Sequence, residues 1–252
     1  MQAYGPIFAR VYNLRWSGFA RQIAPHLLDF GAKLPVAPAN RAVLDLCCGT
    51  GQLARAFLDQ GYRVTGLDLS SSMLDYARDN TQPYVESGQA HFVEGDAADF
   101  TLDERFGLVV STFDALNHLT GASALKNCFR CVQGVLDRAG YFIFDLNTRK
   151  GLARWNGISV EDTEEAMIVN RGIYDGEGDK AWTLISGFVR RPDGLYERFS
   201  ESAFNTVFDL AGVKNALLES GWREVHFARL ADLAAPLDDP ESEGRVWVVA
   251  RL

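Results

Sequence analysis

The stretch Val43-Leu44-Asp45-Leu46-Cys47-Cys48-Gly49-Thr50-Gly51 decides the fold: an apolar run stops at two closely spaced glycines, and a helical pattern starts directly after them. Such a run reads as a strand, and glycines behind it let the backbone turn tightly and approach a ligand. Upstream, Leu34 to Asn40 is broken by Pro35 and Pro38 and reads as a linker. Before the linker, Phe8, Val11, Tyr12, Trp16, Phe19, Ile23, Leu27 and Leu28 recur at three- and four-residue steps. That spacing predicts one helix from residue 7 to about residue 30, ending near Gly31.

Downstream, strands and helices alternate: strand 42–47, helix 51–60, strand 62–68, helix 71–80, strands 90–94 and 107–112, helix 122–137 and strand 140–146. The all-apolar Leu108-Val109-Val110 and Tyr141-Phe142-Ile143-Phe144 imply strands buried on both faces, hence a doubly wound, Rossmann-like α/β core. After Asn147 the texture changes. Met167 to Arg171, Ala181 to Val189 and Leu195 to Phe208 read as strands separated by turns such as Asp175-Gly176-Glu177-Gly178 and Pro192-Asp193-Gly194. A helix from Leu210 to Ser220, stopped by Gly221, precedes strand 222–229. An acidic connection, 236–243, then leads to a closing strand, Gly244 to Arg251. The expected division is a helical cap at 1–40, a core at 41–148, an antiparallel insertion at 149–206 and a final helix with strands at 207–252.

The chain has 252 residues, 47% of them hydrophobic and 23% charged, which suits one ordinary globular α/β unit. Its net charge of −8 and pI near 5.1 repel phosphate backbones and anionic lipid, so neither nucleic acid nor a membrane is an expected partner. MQAYGPIFAR has no basic-then-apolar signal pattern and no stretch nears the length of a bilayer span, so a cytoplasmic protein is expected. Cys47-Cys48 and Cys128/Cys131 do not resemble a disulfide framework. Leu125, Cys128, Val132 and Val135 form one helical stripe, so buried, reduced thiols are expected. His26, His91, His118 and His226 lack ligand spacing, and no metal is expected.

The ends of the strands carry polar chemistry. Asp68, 19 residues after Gly49, falls at the carboxyl end of the second strand, where a carboxylate can accept both hydroxyls of a ribose. Its alternative use, capping the next helix, is open to Ser70 and Ser71 as well. Asp96, in Val93-Glu94-Gly95-Asp96-Ala97, either accepts from the amino group of a base or is a solvated turn residue. The fourth strand delivers Ser111-Thr112-Phe113-Asp114-Ala115-Leu116-Asn117-His118 to the same edge. A G-x-G-x-x-A loop alone also suits dinucleotide enzymes or a purely structural turn.

Taken in order, these segments, with Leu136-Asp137-Arg138-Ala139-Gly140 and Phe144-Asp145-Leu146-Asn147-Thr148, resemble the class I S-adenosylmethionine-dependent methyltransferases. The match runs from about Arg41 to Thr148. The resemblance implies a seven-stranded sheet whose last strand is antiparallel, with the insertion after the fifth strand covering the acceptor site. It implies S-adenosylmethionine as cofactor: Gly49 and Gly51 beside its methionyl part, Asp45 near its amino end, Asp68 on the ribose, and Asp96 with the Ala97 amide on adenine. Cys47, Leu69, Met73 and Thr112 border that site, and Tyr12 reaches toward the carboxylate from a lid that includes Tyr4 and Trp16. Cys47 departs from the family, which usually has glycine there, and Ala139 departs similarly.

An activated methyl donor needs chiefly alignment and exclusion of water. His118 is the candidate base, with Asn117, Asn147 and Asp145 as candidates for orienting the acceptor. Tyr174, Trp182, Arg190 and Arg198 are candidate walls of the acceptor pocket, or ordinary half-buried strand residues. The expected acceptor is the nitrogen or oxygen of a small molecule. A nicotinamide-dependent oxidoreductase and a non-catalytic cofactor-binding protein stand as alternatives.

Overall fold

The computed structural model describes residues 4–36 and 39–252. Ala37 and Pro38, in the expected linker, lie outside the described residues. The N-terminal apolar stripe forms two helices where one was expected, α1 (Pro6–Arg15) and α2 (Ser17–Ala32). Trp16 leaves helical geometry (φ −105°, ψ 7°), and its indole lies 5.7 Å, centroid to centroid, from both Phe8 and Tyr12. The turn separates two jobs. α2 packs on α3 (Gln52–Asp59), and α1 packs on α4 (Ser71–Asn80) and on the inserted sheet.

The core strands are β1 (Ala42–Leu46), β2 (Arg63–Asp68), β3 (Ala90–Glu94), β4 (Phe106–Ser111) and β5 (Leu136–Asn147), with α5 (Gln82–Glu86) before β3 and α6 (Ala122–Val135) before β5. After α7 (Arg149–Leu152) come β6 (Gly157–Asp162), β7 (Ala166–Ile173), β8 (Lys180–Arg190) and β9 (Tyr196–Thr206), then α8 (Leu210–Glu219), β10 (Glu224–Ala228) and β11 (Arg245–Arg251). Seven strands make one sheet in the order β10-β11-β5-β4-β1-β2-β3. β1 to β5 pair in parallel, whereas β11 runs antiparallel to both β5 and β10. This is the expected doubly wound sheet with an antiparallel last strand. Every residue of β1 and β4 is buried, the polar Asp45 and Ser111 included, as strands covered on both faces require. Apolar clusters fill both faces: Phe129, Phe142 and Trp222 lie among the residues of one, Leu27, Phe57 and Trp247 among those of the other.

β5 begins earlier than the expected residue 140. Leu136 leaves α6 directly into the strand opposite Phe106, and a register irregularity between Phe106 and Leu108 absorbs the extra length. The insertion is a four-stranded meander, β6-β7-β8-β9. Sequence patterning anticipates β7 to β9 and misses β6, all six of whose residues are exposed. Cys128 is fully buried on α6, and all four cysteines are free thiols. No helix among the described residues is long and apolar enough to cross a membrane.

Candidate functional site

Among the described residues, three non-glycine positions have left-handed backbone, Cys47 (φ 62°), Phe113 (φ 65°) and Asp114 (φ 50°), and all three follow the carboxyl ends of β1 and β4. Such conformations cost about 1–3 kcal/mol each and gather where ligands bind. Gly49 (φ 53°) and Gly51 (φ 77°) complete the turn after β1. Cys47 thus holds the conformation that glycine adopts most easily. At Gly51 a Cβ would fall 2.9 Å from that of Ala77, so only glycine lets α3 and α4 approach this closely.

A cavity of about 530 Å³ opens above this edge. Its floor includes Cys47, Gly49, Asp68, Leu69, Met73 and Thr112; α1 supplies Phe8 and Tyr12, and Trp16 follows from the turn. Tyr4 also lines it, tethered where the Ser70 hydroxyl donates to its carbonyl at 2.7 Å. The Tyr12 ring lies 3.6 Å from where a Cβ on Gly49 would sit.

Asp68 bridges two loops, accepting from the Gly49 amide at 2.8 Å and from the Ser70 amide at 2.9 Å. The Ser70 hydroxyl caps α4, which leaves the carboxylate on the cavity wall. Burial raises its pKa, while the amides of Ser70, Gly49 and Leu69 oppose the rise. Asp45 is 2% exposed, and its Oδ2 has no partner. Burial first, and the Asp68 charge second, push it up to about 7. It borders a side pocket with Tyr12, Cys47, Gln52 and Thr112. An orphaned buried carboxylate suits a cationic ligand group, so the residues present fit an amino acid's ammonium. Asp96 and Ala97 follow β3 at the same sheet edge, outside the cavity lining; Asp96 accepts from the Ala98 amide at 2.8 Å.

His118 lines the cavity, with Nδ1 2.6 Å from the Phe204 carbonyl. A carbonyl only accepts, so Nδ1 carries a hydrogen, and in the neutral ring Nε2 holds the lone pair. Asn117 is completely buried and its amide is fully used. It donates to the carbonyls of Asn147 and Thr206 and accepts from the Asn147 amide. Asn147 donates to Asn205 Oδ1 at 3.2 Å. Neither Asn117 nor Asn147 lines the cavity, so the geometry makes them struts between the strand ends and β9, and not the acceptor-orienting groups expected. Asn205, which Asn147 positions, does face the cavity.

The expected acceptor wall is also displaced. Tyr174 is buried against Arg149, Trp182 and Arg198 are exposed, and Arg190 pairs with Glu164. The neighbours one residue out of phase, Thr183 and Ile185 on β8 and Asn170 on β7, line the cavity instead. Side chains alternate faces along a strand, so a one-residue error of parity exchanges wall and exterior.

Sequence reading placed Asp114 at this edge without a role and passed over Arg245. Arg245 lines the cavity and donates to Asp114 Oδ1 at 2.7 Å and to Asp145 Oδ2. Its guanidinium lies 5.1 Å from the Phe19 ring centre and 5.9 Å from that of Phe113. Burial pushes Asp145 up to about 6, against the pull of Arg245, and Asp114 adds to the rise. No local pattern marks Arg245, because antiparallel pairing with β5 brings it there.

The family profile described as "Methyltransferase domain" matches residues 43–140, from the start of the glycine loop's strand into β5. Residues 43–140 form a methyltransferase domain. Among curated relatives, the putative methyltransferase YqeM of Bacillus subtilis is 27% identical over 188 residues, 74% of this chain and 75% of its own. The dTDP-3-amino-3,6-dideoxy-alpha-D-glucopyranose N,N-dimethyltransferase of Streptomyces fradiae is 32% identical over 123 residues, 48% and 46% of the two chains. An S-adenosylmethionine-dependent methyltransferase from Clostridium acetobutylicum superimposes with a TM-score of 0.76 at 21% identity, covering 97% of each chain, which is a likeness of fold. The match favours a methyl donor over the nicotinamide alternative for residues 43–140.

Proposed function

We propose that the methyltransferase modifies an amino nitrogen of a small polar acceptor held between the sheet edge and the β6–β9 insertion. The observation that carries this reading is His118, which lines the cavity with its Nδ1 committed to the Phe204 carbonyl, so that Nε2 of the neutral ring is the nitrogen left to take a proton. A protonated amine must lose its proton before its nitrogen can attack. Imidazole is matched to an ammonium far better than to an alcohol, whose proton is held much more tightly. Asn170, Thr183 and Asn205 offer donors and acceptors for a hydroxylated ring. By its name, the Streptomyces fradiae relative methylates the nitrogen of a nucleotide-linked amino sugar, which supports the same acceptor chemistry here.

S-adenosylmethionine supplies a methyl group on an already cationic sulfur. The chain's residues then have to bind, orient and exclude water. In this reading Asp68 keeps lone pairs for the ribose hydroxyls while its backbone contacts hold it still. Asp45 takes the amino group, and Gly49 and Gly51 let the ligand lie close to the backbone. Cys47, Leu69, Met73 and Thr112 flank it, Tyr12 closes over it, and the adenine extends past the cavity lining along the sheet edge toward Asp96 and Ala97.

Methyl transfer from labelled S-adenosylmethionine into free and nucleotide-linked amino sugars, beside hydroxyl-only counterparts, tests the reading. Label on the amines alone is the expected result. Label only on hydroxyl-only compounds, or none on either panel with the cofactor bound, refutes it.

A further inference from the structure

The β6–β9 sheet has one face against α1 and the cavity; none of the described residues covers the other. On the uncovered face Met167 (42% exposed) pairs in register with Phe188 (45%), and Ile173 (40%) with Trp182 (44%). Leu184, Val160 and Tyr196 are exposed on the same face. These seven side chains expose roughly 700 Å², near the ~800 Å² that one partner contributes to a standard interface and above the few hundred usual for a monomer's patch.

The charges indicate what covers it. Asp162, Met167, Phe188 and Arg198 form one continuous row across all four strands, acid at one edge and base at the other. Neighbouring Glu161 and Arg190 are paired, with Arg15 and Glu164, but neither Asp162 nor Arg198 forms an ion pair among the described residues. A two-fold axis parallel to the strands, midway between β7 and β8, reverses this row onto itself. It sets Met167 on the partner's Phe188, Ile173 on the partner's Trp182, and Asp162 on the partner's Arg198. Each contact then occurs twice, as a self-complementary interface requires.

We propose that this face docks a second copy of the chain, sheet against sheet, with Asp162 of each copy opposite Arg198 of the other. The residues alternating with the docked ones, Thr183, Ile185 and Asn170, are those of the cavity wall, so docking stiffens that wall from behind.

Sedimentation velocity at tens of micromolar should give twice the 27.9 kDa chain mass for the wild type. Asp162→Arg or Arg198→Asp alone should release monomers, and the two together should restore the dimer. Circular dichroism confirms that each variant is folded. As an independent check, Asp162→Cys combined with Arg198→Cys should form a covalent dimer on a non-reducing gel, while each single variant does not. Within one chain two strands lie between these positions, roughly 14 Å apart, too far for an internal disulfide. A monomeric wild type, a dimer that folded single reversals leave intact, or a double reversal that stays monomeric would overturn the proposal.

Discussion

Asparagine at position 45 keeps the shape of the side chain and removes its charge, and it should separate cofactor binding from pH. Asp45 is buried, its Oδ2 has no partner, and its pKa is pushed up to about 7 by burial and by Asp68. A raised carboxyl pKa means that folding favours the protonated form. The stability this group contributes is complete below about pH 4 and is lost as pH rises through about 7. Between an ordinary value near 4 and about 7 the difference is roughly 4 kcal/mol at pH 8, an upper bound because neighbours relax. Asp45→Asn should therefore stabilise the cofactor-free protein at pH 8 and leave it nearly unchanged at pH 4. Binding behaves oppositely, since a cofactor ammonium needs the ionised carboxylate. Wild-type affinity for S-adenosylhomocysteine should fall about tenfold from pH 8 to pH 6, and at pH 8 Asp45→Asn should bind at least about 30-fold more weakly. Calorimetric titration of both proteins across this range reads both effects, and any titration of the ligand itself is common to the two curves. Parallel pH curves, or a variant within threefold of wild type at pH 8, would refute the role given to Asp45.

Three further substitutions probe the site. His118→Gln should lower methyl-transfer kcat by about 10²–10⁴, with S-adenosylhomocysteine affinity within twofold of wild type; an equal loss in binding would make His118 structural. Gly51→Ala should cost more than about 2 kcal/mol in denaturant unfolding, because the new Cβ meets Ala77 at 2.9 Å in a left-handed backbone. Cys47→Gly, by contrast, should leave stability unchanged or raise it by up to about 1 kcal/mol and preserve cofactor binding, whereas Cys47→Val should weaken both.

The parts of the molecule that were legible in the sequence are those whose cause is local. An apolar run, two glycines and an amphipathic helix fix β1, the turn and α3 within some twenty residues, and the same logic places Asp68 at the end of β2. Arg245 was not legible, because it enters the cavity only when β11 returns antiparallel beside β5. The wall of the insertion was misread for a different reason. Its outer face carries Trp182, Leu184 and Phe188, so apolarity does not distinguish interior from exterior along β8. Asn117 looked catalytic because polar residues after a strand often bind ligands, yet its amide is consumed in tying Asn147 and Thr206 together. The break at Trp16 arises from aromatic packing against Phe8 and Tyr12, which helical periodicity does not encode.

The central claim is that the cavity above β1, β2 and β4 is a methyl-donor site in which Asp68 is indispensable. Titration of S-adenosylhomocysteine and of NADH into wild type and Asp68→Ala tests it most directly. The expected result is one S-adenosylhomocysteine bound per chain by the wild type, no detectable binding by the variant, and no NADH binding by either. Binding of NADH in place of S-adenosylhomocysteine, or full S-adenosylhomocysteine affinity in Asp68→Ala, would contradict it.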